Sequence, residues 1–89
     1  TALVEEKLAA CVNIVPGVLS VFRWKEKIEK DREVLLIIKT AAMRFDAVRD
    51  RIRELHSYEL PEIIALRIEA GDPDVLSWIH ASVAPPSPD

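Results

Sequence analysis

The chain predicts an α+β fold, and three features of its patterning carry that prediction. Apolar residues recur at spacings of three and four in three separate stretches, the mark of amphipathic helices. Two apolar extended stretches flank a highly charged one, the pattern of a long hairpin. A further extended stretch lies between the second and third helices. Eighty-nine residues suffice for one small domain and not for two. The net charge of −3 gives no basic surplus for nucleic acid. No apolar run reaches the ~18 residues that span a bilayer, and nothing at the start has the charged and apolar regions of a signal peptide. The single cysteine cannot form an internal disulfide, so a reducing compartment is expected, and with it a cytoplasmic location.

Taken in order, residues 1–10 read as a helix with Leu3, Val4 and Leu8 on its apolar stripe and Thr1 as its cap. Cys11 to Val15 is extended, and Pro16-Gly17 marks a bulge or bend before extended character resumes from Val18 to Trp24. On that arm Val18, Ser20, Phe22 and Trp24 share a face. Residues 25–32 are expected to be the polar tip of the hairpin. The return strand, residues 33–40, contains five consecutive apolar residues, Val34 to Ile38, which predict burial on both faces inside a sheet or under a partner subunit.

Thr40 is the expected N-cap of a second helix over residues 41–55, with Phe45, Val48, Ile52 and Leu55 as its core stripe. Its arginines interleave with Asp50 and Glu54 and read as a solvated face. A final strand is expected over residues 62–69. Gly71, Asp72 and Pro73 then form a turn into a third helix, about 73–83, with Asp72 capping and Pro73 in the first turn. Residues 1–84 thus form one domain, and the proline-rich residues 85–89 are expected to form a tail without regular structure.

The order helix, strand, strand, helix, strand, helix becomes βαββαβ plus a C-terminal helix if one strand is prefixed. That is the ferredoxin-like, split βαβ pattern. Its first strand lies mid-sheet, so without it the sheet should be split. We therefore expect either that a preceding strand belongs to the natural chain or that a partner segment fills the gap. The apolar hairpin arms exceed what two helices can cover, which predicts oligomerisation through the sheet.

The stretch Leu3-Val4-Glu5-Glu6-Lys7-Leu8-Ala9-Ala10-Cys11-Val12-Asn13-Ile14-Val15-Pro16-Gly17 resembles the opening signature of the CutA divalent-ion tolerance proteins. Later blocks agree in register: Phe22-Arg23-Trp24-Lys25, Glu33 to Thr40, and His56 to Leu66, with Gly71 and Leu76-Ser77-Trp78 following. The resemblance implies the ferredoxin-like fold inferred above, in a compact PII-like homotrimer with hairpins packed across subunits. It implies a non-enzymatic role in tolerance of divalent metals. Members carry an initial strand that has no counterpart here. Ser57 also stands where the family commonly has proline.

The residues richest in chemistry are His56 to Glu62, which hold an imidazole, a phenol and two carboxylates. His56 is the metal-ligand candidate by type, since imidazole suits copper and other divalent transition metals. The resemblance implies copper(II) at this histidine. Two further family ligands, an adjacent histidine and a cysteine of the first strand, do not map: Leu55 holds the adjacent position. The alternative for His56 is that it simply ends the second helix. Lys39, Tyr58 and Glu62 match residues that the family places near an inter-subunit cleft. They could hold a small anionic or zwitterionic ligand, as PII-like sensors do, or be an inter-subunit salt bridge and hydrogen bond. Cys11 is either a soft metal ligand or a small buried hydrophobe. Glu59 and the hairpin acids bind divalent ions only weakly, and His80 reads as a surface residue. No nucleophile with a base, no phosphate-binding loop and no organic cofactor motif is present, which argues against an enzyme. A structural scaffold is the remaining reading.

Overall fold

A computed structural model describes residues 1–56 and 62–85. The elements run α1 (Ala2–Glu5), β1 (Cys11–Trp24), β2 (Lys27–Lys39), a 3-10 turn (Ala42–Arg44), α2 (Phe45–Leu55) and α3 (Pro73–Val83). The fold is α+β, as expected, and its described sheet has two antiparallel strands, β1 and β2.

α1 is a single turn rather than a helix through residue 10. Lys7 adopts φ 60°, and the chain closes the helix on itself: Lys7 N–H donates to the Val4 carbonyl at 3.1 Å and Leu8 N–H to that of Leu3 at 2.9 Å. This is a Schellman ending with lysine in the left-handed position usually held by glycine. Its apolar clasp is supplied by Leu8, which packs on the cluster containing Leu3. Thr1 sits at the N-cap without a side-chain capping bond.

β1 and β2 pair from Cys11 opposite Lys39 to Trp24 opposite Lys27, with one irregularity between Val15 and Val18. The expected bulge at Pro16-Gly17 is therefore real, and Gly17 has φ +74°, which suits a residue without Cβ. One extra residue in β1 switches which residues point to which side, so Val15 and Val18 both lie on the face away from the core. The charged stretch is not a loop. Only Lys25 and Glu26 turn, with φ 50° and 68°, and pairing resumes at once at Lys27. Positive φ at both central residues is the type I′ pattern that favours Asn-Gly. Glu26→Gly is accordingly expected to stabilise the protein by ~1 kcal/mol, since a side chain in this region costs ~1–2 kcal/mol. An unchanged or lowered urea midpoint would contradict that reading of the turn.

The core is small. Leu3, Ala9, Val48 and Ile52 form a buried cluster, flanked by Leu8, Val12, Ile38 and Ile63. Val12 and Ile38 are cross-strand partners, so they define the core-facing side of the sheet. Leu55 is 53% exposed rather than part of that core. α2 also begins later than periodicity suggests. Thr40 Oγ1 donates to the Leu8 carbonyl at 2.7 Å, tying the end of β2 to the α1–β1 link instead of capping a helix. At the other end, α3 starts as expected: Asp72 accepts from Asp74 N–H at 2.9 Å with Pro73 in the first turn. Ile79 and Val83 are buried.

Two expectations are corrected. Residues 62–69 form no strand ladder, because no neighbouring strand stands beside them among the described residues and extended backbone needs a partner for its N–H and C=O groups. The chain's own described elements do not bury Val34 to Ile38 inside a sheet: Leu36 and Ile38 are half-buried, while Val34, Leu35 and Ile37 are exposed, so of the two expected covers the sheet is ruled out and the partner subunit is the one left. β1 and β2 are 14 and 13 residues long, roughly 45 Å at ~3.4 Å per residue, and the core reaches only their base.

Candidate functional site

His56 is the residue that ends α2. Its backbone turns to φ −106°, ψ 144°, and its N–H donates to the Ile52 carbonyl at 2.9 Å, closing the last helical turn. The helix-ending reading of His56 is therefore correct, and it does not conflict with a binding role. Just inside it lies an open groove of about 300 Å3 lined by Thr1, Ala2, Leu3, Val12, Ile14, Leu36, Ile52, Leu55 and His56. The start of α1, the end of α2 and the base of the hairpin build this groove. The apolar stripe of α2 supplies Ile52 and Leu55, and the core-facing side of the hairpin supplies Val12, Ile14 and Leu36. The imidazole stands on the rim of an apolar surface, an arrangement that binds apolar groups better than ions.

Metal ligation needs convergent donors. No group of three or more His, Cys, Asp or Glu side chains among the described residues is placed to hold a metal ion. A single imidazole with one chain's described neighbours thus does not fit a tight copper site. Cys11 is half-buried rather than buried, and its thiol points at Asn13 Oδ1 at 3.8 Å. Its position at the start of β1 pairs it with Lys39, not with His56.

The second constellation is not assembled either. Lys39 ends β2 and is exposed; its carbonyl accepts from Ala10 N–H at 2.8 Å. Glu62 is exposed as well, and no salt bridge joins it to Lys39 among the described residues. Tyr58, with Ser57 and Glu59, lies outside the described residues.

Sequence reasoning missed two features. His80, read as a surface residue, is exposed but borders a second open recess with Thr40, Ala41, Ala42, Ile68, Leu76 and Ile79. The signal was its place four residues after Leu76, beside the apolar stripe of α3. The other is the link between the first and second helices. Arg51 donates to Glu6 at 3.0 Å and to Glu54 at 3.0 Å, and its hydrogen bonding to the Glu6 carboxylate raises the guanidinium pKa above its ordinary value. Such an exposed cluster orients α1 more than it stabilises it.

Comparison with known proteins shows what the whole chain is similar to. The family model described as "CutA1 divalent ion tolerance protein" matches residues 1–82. The "Divalent-cation tolerance protein CutA" of Thermus thermophilus is 49% identical over 79 residues, covering 89% of this chain and 77% of that protein. "Protein CutA" of Mus musculus is 48% identical over 79 residues, and there the chain spans only 45% of the relative's length. Among solved structures, the Thermus thermophilus divalent cation tolerance protein superposes with a TM-score of 0.90 at 46% identity, covering 93% of this chain and 81% of that one. CutA from Xylella fastidiosa gives 0.88 at 45% identity, covering 92% and 79%. The chain belongs to the CutA1 divalent ion tolerance protein family.

Proposed function

We propose that this chain acts without catalysis in tolerance of divalent metal ions, as a ferredoxin-like subunit of a homotrimer in the cytoplasm. Family membership over residues 1–82 is the observation that carries the proposal. Weak copper(II) binding near His56 is part of it, because among the described residues no group of three or more His, Cys, Asp or Glu side chains is placed to hold a metal ion. Self-association has support of its own in the hairpin, where Val15, Leu35 and Ile37 lie exposed on one face and Leu19, Val21, Ile28 and Val34 on the other. A monomer would leave this surface in water.

The test is a calorimetric Cu(II) titration of the full-length protein against His56→Ala at equal subunit concentration. Loss of most of the binding heat is expected in the variant. Superimposable isotherms would exclude His56 as the ligand, and an absence of heat in both would remove copper from the proposal.

A further inference from the structure

We draw no further inference here: the strongest candidate, the open recess between the 3-10 turn that leads into α2 and the side of α3 carrying Leu76, Ile79 and His80, is a largely apolar surface, and nothing in the structure shows what covers it.

Discussion

Ile52→Ala should be the most damaging conservative substitution in this protein, costing ~3 kcal/mol within the usual 2–5 kcal/mol range for such truncations. The reason is the size of the core. Among the described residues, Ile52 shares the buried cluster with Leu3, Ala9 and Val48. Its side chain is where α1, α2 and the base of the hairpin meet, because Val12 and Ile38 press on the same cluster from the sheet. Removing its outer carbons leaves a cavity that a single helical turn such as α1 has little freedom to fill. A domain of this size has ~5–15 kcal/mol of stability in total, so this loss is a large fraction of it. In thermal terms it corresponds to a fall of roughly 12–24 °C, at ~4–8 °C per kcal/mol for a small domain. Urea denaturation at fixed subunit concentration is the measurement, since association adds to apparent stability by mass action. A shift below ~1 kcal/mol would mean that most of the stability comes from contacts between chains rather than from this core.

The sequence was informative where the physics is local. Asp72 and Pro73 announce the start of α3 because a cap and a first-turn proline act within a few residues, and the helix begins where they say. Pro16-Gly17 announces a bulge for the same reason. The turn at Lys25-Glu26 was hidden because neither residue is the glycine or asparagine that its positive φ calls for. α1 was overestimated because its end is set by a lysine in left-handed geometry, a conformation that composition does not encode. Residues 62–69 have strand-like apolar character, but a strand exists only beside another strand, and that relation is not contained in eight residues.

The candidate site divides along the same line. That His56 ends a helix was legible from the stripe of α2, which runs out at Leu55. Whether Lys39 and Glu62 act together was not, because each is exposed and they lie far apart in the sequence. The faces of the hairpin were half legible. Alternation showed that Val18 and Phe22 lie together, but the bulge, with its extra residue, had to be placed before the charges of β2 could be assigned to a side.

Arg44→Met should loosen one end of the molecule selectively, at a cost of ~1.5–3 kcal/mol, the range for a hydrogen bond to a charged group. Arg44 Nε donates to the Val83 carbonyl at 2.7 Å in a partly buried contact. Val83 is fully buried and is the last residue of α3. The last four carbonyls of a helix have no partner inside it, and they form the negative end of its dipole. A guanidinium there satisfies one carbonyl and offsets the dipole together, while holding α3 to the turn that opens α2. Methionine keeps an apolar stem of similar reach and removes both the donor and the charge. Lysine would restore the charge without the planar donor geometry, so it should recover only part of the loss. Hydrogen exchange separates this from a global effect. Amides of α3 should lose protection in Arg44→Met while those of β1 and β2 keep theirs, because the strands are held by their own ladder. Uniform loss across α3 and the hairpin would show that α3 is part of the same cooperative unit. Unchanged protection of α3 would show that burial of Ile79 and Val83 anchors it without help from Arg44.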